Sequence, residues 1–347
     1  MVSTSLAHFS DTLFTTAIAT YAVATVGYAA EYAFGQRGRV AETAVLPVPA
    51  SAREKVLVAA GGVSSAADST GAPPAPARGG PPPVVTTSRA VASSRIGRFA
   101  VGVTVLGVLI QLSSIVIRGV AVDEIPWSNM YEFSSVVGVV AVLAFLAALV
   151  RMPQIRHLGI FVMGPVVVVM FLAGTVLYSR AEPLVPALQS YWLAIHVTAA
   201  ASSEGILMTS SALTLLFLLR RRYEARTAAG LPTRFSGAIA PKLAPTATLD
   251  KVAYRLAAFA FPVYTFGIIC GAIWAEAAWG RYWGWDPKET WAFIAWVIYA
   301  AYLHARATAG MRKWAPWINL LGFGAMTFNF FVVNIVISGL HSYAGLN

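Results

Sequence analysis

The chain alternates long apolar runs with short polar connections, and the length of the runs is what they first disclose. A helix that crosses the hydrocarbon core of a bilayer needs about 20 mostly apolar residues. About eight runs qualify: Thr12 to Phe34, Gly97 to Ile117, Tyr131 to Val150, Leu158 to Tyr178, Tyr191 to Leu219, Val252 to Trp274, Trp291 to about Ala305, and Trp317 to Gly339. The pattern predicts an all-α polytopic membrane protein with about eight transmembrane helices. Between the first two runs, residues 36–95 lose apolar periodicity and become rich in Pro, Gly, Ala and Ser, including Gly79-Gly-Pro-Pro-Pro83. That composition buries too little to fold and reads as a flexible linker, with a partner-binding tail as the rival reading. The expected organisation is an N-terminal transmembrane helix in 1–35, the linker in 36–95 and a larger transmembrane domain in 96–347. No internal repeat is visible.

Composition sharpens this picture. Of 347 residues, 57% are hydrophobic and 12% charged, against about 25% charged in soluble domains. An ordinary water-soluble globule and a disordered chain are thereby excluded. The net charge of +10 would suggest nucleic acid in a soluble protein. In an apolar chain it reads as topology, because Lys and Arg collect on the cytoplasmic side of a membrane. If the N-terminus lies outside, all but Arg118, Arg180, Arg281 and Lys288 of the 25 Lys and Arg residues fall inside. The reverse orientation inverts the ratio. Both termini are therefore expected to be extracytoplasmic, and the linker cytoplasmic. Met1 to Asp11 carries no Lys or Arg, so no cleavable signal is expected. The single cysteine, Cys270, excludes internal disulfides, a CxxC redox pair and a zinc-thiolate cluster.

One stretch concentrates candidate chemistry: Trp279-Gly-Arg-Tyr-Trp283-Gly-Trp285-Asp286-Pro-Lys-Glu289-Thr-Trp291. Four tryptophans fall within thirteen residues, all on the outer face by the charge count. An interfacial aromatic belt accounts for one or two of them. It accounts poorly for a dense set joined by glycines and followed by Asp-Pro-Lys-Glu. Trp279 and Trp283 are four apart, so a helical turn would stack them on one face, and Gly280 and Gly284 would leave the rings uncovered. The expected product is a flat aromatic shelf that suits a large planar ligand such as a porphyrin. Asp286, Pro287 and Glu289 also match a helix start: N-cap, first helical position and capping box. The two readings are compatible.

Five histidines remain to be placed. His196 lies about one turn inside the outer end of the fifth run, and His341 just past the outer end of the eighth. Both share the level of the tryptophans. A lone interfacial histidine is ordinarily a hydrogen-bonded structural residue. A pair at one level can occupy the two axial positions of a haem iron as neutral imidazoles. His304, near the inner end of the seventh run, is a candidate as an ionisable group beside the membrane core. His157 is expected in a solvated inner loop, and His8 has no evident partner. Glu204, within the fifth run, reads as a buried structural carboxyl, with a proton or propionate step as the rival role. Glu132 and Arg281 could pair with ligand or partner groups.

These residues resemble a known family. The run from Trp279 to Arg306 is similar to the tryptophan-rich WWD signature of haem-handling proteins in c-type cytochrome maturation. It most resembles the CcsA/ResC branch of System II, called CcsB in actinobacteria. Pro126-Trp-Ser-Asn-Met-Tyr-Glu132 resembles that branch's outer loop, and Tyr191 to His196 and Gly339 to Tyr343 resemble its external-histidine motifs. The resemblance covers about residues 97–347. It implies that haem b is both ligand and substrate, gripped on the outer face by His196 and His341 as axial ligands. It further implies contact through Trp279, Trp283, Trp285, Asp286 and Trp291, and an inner haem site at His304. That inner site would be completed by a ResB-type membrane partner. The other implied partners are an apocytochrome c with a CxxCH motif and a thioredoxin-like thiol reductant; nucleic acid is not among them. The implied location is the bacterial plasma membrane, with ligation on its extracytoplasmic face.

The expected work is haem presentation within a cytochrome c synthase, with or without relay of haem across the membrane. The thioether thiols must come from the apocytochrome, so this chain supplies position and environment. Three rivals stand beside that reading: a haem-delivery protein of the other maturation system, a haem protein for quinol electron transfer, and a transporter without haem.

Overall fold

A computed structural model describes residues 3–34, 88–126, 129–183 and 188–341, without the side chains of 88–94 and 234–236. Most of the expected linker, including Gly79 to Pro83, and Trp127, Ser128 and Tyr343 lie outside the described residues. Among the described residues, eight long helices account for the apolar runs: α1 (Thr4–Phe34), α2 (Ser88–Val122), α3 (Met130–Arg151), α4 (Gly159–Thr175), α5 (Tyr191–Ala228), α6 (Thr246–Trp279), α7 (Pro287–Ala307) and α8 (Ala315–Val336). No strand occurs among the described residues. The chain is an all-helical, multi-pass membrane protein. Seven of the helices, counting α4 together with the turn Pro153–Leu158 before it, are long and apolar enough to cross a membrane. The exception is α7, whose 21 residues include Lys288, Glu289, His304 and Arg306.

The helices associate as antiparallel neighbours: α1 with α2, α5 with α6, and α7 with α8, while α3 joins α5 to α4 and α4 packs on α1. The sequence of α1 shows why. Ser10, Phe14, Ala17, Tyr21, Ala24, Tyr28 and Glu31 are buried, at the three-and-four spacing of one helix face. Lipid offers no hydrophobic drive between helices, so close approach and buried hydrogen bonds hold such pairs. A Cβ added to Gly27 would stand 2.9 Å from that of Ala100. Tyr21 donates to Oε1 of Gln111 at 2.7 Å, and Gln111 donates to the Ser135 carbonyl at 2.8 Å.

Two ion clusters fasten opposite ends of this half. At one end Arg118 reaches Glu132 at 2.7 Å, Asp11 at 3.2 Å and the Ser179 carbonyl at 2.6 Å. Glu132 thus has a structural role in this cluster. At the other end Arg156 pairs with Glu31, and His157 stacks on Tyr32 with its ring nitrogens buried. The solvated loop expected for His157 is replaced by packing against α1.

Candidate functional site

The arrangement starts with a close pairing of α5 and α6. Gly267 and Gly271 are four residues apart on α6, so they share a face. A Cβ on Gly267 would stand 3.3 Å from Ala199 Cβ, and one on Gly271 would stand 2.6 Å from His196 Cε1 and Nδ1. The His196 imidazole therefore lies over a helix surface that only glycine leaves open. Its Nδ1 is 2.7 Å from the Gly267 carbonyl oxygen. A carbonyl cannot donate, so Nδ1 carries a proton, and in the neutral ring the lone pair is then on Nε2.

Helix α6 ends about three turns beyond Gly267. Gly280 closes it in the left-handed conformation (φ 69°), donating its amide to the Glu276 carbonyl at 2.8 Å. This geometry is natural to glycine at a helix C-terminus. Trp279 is thus the last helical residue, and Trp283 follows outside the helix. The expected one-face stacking of Trp279 and Trp283 does not occur, because the helix stops between them. Gly284 instead makes room for the Arg281 guanidinium.

Asp286 then begins α7. Its carboxylate accepts from the Lys288 amide at 3.3 Å, Pro287 takes the first helical position, and Glu289 accepts from the Asp286 amide at 3.1 Å. The predicted capping box is present. The same Asp286 carboxylate also holds the segment after α8: Oδ1 accepts from the Leu340 amide at 2.7 Å, and Oδ2 is 2.8 Å from His341 Nδ1. Burial would raise the Asp286 carboxyl, but the hydrogen bonds from Leu340, His341 and Lys288 outweigh it and hold the group below its ordinary range. Burial also draws the His341 imidazole below the ordinary histidine range, against the pull of Asp286. With the Asp286 carboxylate as acceptor, the His341 ring carries a proton on Nδ1. It has the same form as His196, with Nε2 uncommitted to Asp286.

The two imidazoles both lie near one indole. Trp274 lies 6.2 Å from His196 in a stacked arrangement (14°) and 5.6 Å from His341 edge-on (64°), and Trp279 is 4.8 Å from His341. Both histidines line a single cleft whose space, mouth included, is about 1280 Å³. Phe133, Phe330, Trp274 and Trp283 give it apolar walls, while Glu204, Lys288 and Asn334 add polar groups. His196 and Glu204 are eight residues apart on α5, so the cleft runs about 12 Å along that helix.

Some expected residues fall elsewhere. Trp285 is 66% exposed and adopts φ 58°. It joins Trp283 and Phe293 in an aromatic group beside the cleft. Trp291 packs on Phe328 at 4.1 Å, within the α7–α8 contact. His304 is exposed near the other end of α7, with Nε2 3.3 Å from the Thr308 hydroxyl. The structure adds Trp274, Gly267, Gly271 and Lys288, to which the sequence pattern assigns no part in the site. The four-residue spacing of Gly267 and Gly271, a small-residue helix-contact signature, was the signal available for three of them, since Trp274 lies one turn further along the same face.

Residues 127–341 match the family model described as cytochrome C assembly protein. The chain belongs to the cytochrome c assembly protein family. It is 42% identical over 169 residues to the cytochrome c biogenesis protein CcsA of Chlamydomonas reinhardtii, a match covering 48% of this chain and 45% of that one. It is 40% identical over 199 residues to the CcsA of Synechococcus elongatus, covering 47% and 61% respectively. It is 34% identical over 293 residues to the CcsA of Gloeobacter violaceus, covering 71% and 86%. The chain thus spans about half the length of the first two relatives. Among solved structures, the cytochrome c haem lyase CcmF aligns over all of this chain and 49% of its own, with a TM-score of 0.58 at 16% identity. The fold is therefore shared with a lyase across a wide sequence distance, and this assembly-family member brings His196 and His341 to one cleft within it.

Proposed function

We propose that this family member holds haem b in the cleft between α5, α6, α7 and the segment after α8, and presents it for covalent attachment to an apocytochrome c. The observation that carries the reading is the matched state of two histidines. Each commits Nδ1 to an oxygen acceptor, and each lines the same aromatic cleft. An iron-binding imidazole must be neutral, with its second nitrogen oriented by a hydrogen bond. The donor set and the apolar walls fit a bis-imidazole porphyrin, and the names of the CcsA relatives and of CcmF accord with that cargo.

In this reading His196 and His341 bind the iron, and Asp286 orients His341 while fixing the start of α7. Trp274, Trp279 and Trp283 exclude water from the porphyrin face, and Trp285 and Arg281 line the approach of the apocytochrome. Haem would supply the vinyl groups, and the apocytochrome would supply both thiols and a histidine for the iron. Positioning replaces a bimolecular encounter by a fixed geometry.

The cleft faces the extracytoplasmic side of a bacterial plasma membrane in this assignment, supported by the arginines at the opposite end of the bundle, Arg151, Arg156, Arg220, Arg221, Arg222, Arg306 and Arg312. His304, exposed near the far end of α7, would serve an inner haem site whose second ligand comes from a ResB-type partner. A thioredoxin-like protein would keep the apocytochrome thiols reduced. The test is co-expression with such a partner and an apocytochrome in a host without its own maturation genes. Covalent haem on the cytochrome, lost in His196→Ala and in His341→Ala, is the expected result; retention in both variants would defeat the assignment.

A further inference from the structure

Lys288 is an unusual cation for the place it occupies. It is the second residue of α7 and lines the same cleft as His196 and His341. Its ammonium donates to Oδ1 of Asn334, a neutral amide oxygen. Asn329 donates to the Lys288 carbonyl at 3.3 Å, which ties the α7 start to α8 at this point. No carboxylate among the described residues lies within ion-pair distance of the Lys288 ammonium. Glu204 shares the cleft and feels the charge of Lys288, but the two form no ion pair.

An ammonium carries three donors and one full charge. Withdrawn from bulk water, it is costly unless an anion compensates it. In this fold one donor is used on an amide; Glu204 and Asp286 lie near enough to act on the charge, but no carboxylate among the described residues is within ion-pair distance to take the remaining donors. Asn334 fixes the direction of the head group without neutralising it. A cleft that presents an oriented ammonium with donors left over and no direct ion-pair contact, beside apolar walls, suits an anionic ligand group.

We infer that Lys288 binds a carboxylate of the cargo and so sets which edge of the porphyrin enters the cleft. This deepens the haem reading and rests on it. Haem b has two propionate carboxylates on one edge and its vinyl groups on another. Holding a propionate at Lys288 orients the ring and turns the vinyl edge away from the α7–α8 contact. Asn334 acts as the positioning residue for the ammonium.

The test compares haem b with its dimethyl ester, which keeps the iron, the ring and the vinyl groups but loses both negative charges. The full-length chain in detergent is titrated with each, following the Soret band. A charge-assisted hydrogen bond predicts that the free acid binds about ten- to a hundredfold more tightly than the ester. Lys288→Met is expected to abolish that preference while the ester binds as before, and Lys288→Arg to retain most of it. Equal binding of the two porphyrins by the unaltered chain, or an undiminished preference in Lys288→Met, overturns the assignment. The first comparison requires no variant, so a misfolded substitution cannot obscure it. Absence of any Soret shift with either porphyrin would overturn the haem reading of the cleft itself, a separate result from loss of discrimination.

Discussion

The Nδ1 of His341 lies 2.8 Å from Oδ2 of Asp286, although the two residues are 55 positions apart in the chain. One carboxylate thereby performs two tasks: it caps α7 and orients a histidine carried beyond the end of α8. The tryptophan-rich connection and His341 are consequently one mechanical unit.

Asp286→Asn separates those tasks, because Asn is as good an N-cap as Asp but lacks the charge that polarises His341. The helix start should survive, and haem affinity should fall about 10- to 100-fold, the usual effect of losing a group that orients a metal ligand. Soret titration and circular dichroism of the same sample provide the check. Unchanged affinity would confine Asp286 to capping.

Gly271→Ala places a methyl group where the His196 ring now lies, 2.6 Å from Cε1 and Nδ1. Overpacking of this kind costs about 1–3 kcal/mol. The imidazole must turn away from the Gly267 carbonyl. The variant should remain folded and lose the six-coordinate, low-spin haem spectrum. A wild-type spectrum would show that the contact with Gly271 does not govern ligation.

The tryptophans should behave unequally. Trp283 lines the cleft, Trp285 is exposed, and Trp291 packs on Phe328. Trp283→Leu should weaken haem binding more than Trp285→Leu. Trp291→Ala should lower thermal stability by about 3 kcal/mol, the scale of a lost aromatic contact, with haem affinity largely kept. Equal losses of affinity across all three would favour a continuous shelf over separate roles for the three rings.

Glu132 is expected to matter for stability and not for cargo. Its carboxylate holds Arg118, whose side chain is 4% exposed. Removing one member of a buried pair costs up to about 3–5 kcal/mol, reduced in this case by the second partner Asp11. Glu132→Gln should lower the midpoint of thermal unfolding and leave the Soret titration unchanged. A shifted titration with an unchanged midpoint would return Glu132 to the site.

Several features were legible in the linear chain because they depend on local spacing. The length of the apolar runs fixed the long helices, since a bilayer accepts no shorter unit with satisfied backbone groups. Asp286-Pro-Lys-Glu289 announced the start of α7, since a capping box is closed within four residues. The Trp-rich motif and the shared level of His196 and His341 pointed to the end of the bundle that carries the candidate chemistry. Their hydrogen-bond partners were not readable, because Gly267 and Asp286 meet the histidines only through helix packing. The break after Trp279 was equally hidden: the four-residue spacing suggested a helical turn through Trp279 and Trp283, and the left-handed Gly280 ended the helix between them. Tertiary structure alone decided that Trp274 contacts both imidazoles, that Trp291 packs on Phe328 of α8, and that Lys288 lines the cleft. Those relations arise from which helix faces meet, and a single sequence encodes that choice only through the summed packing of the entire bundle.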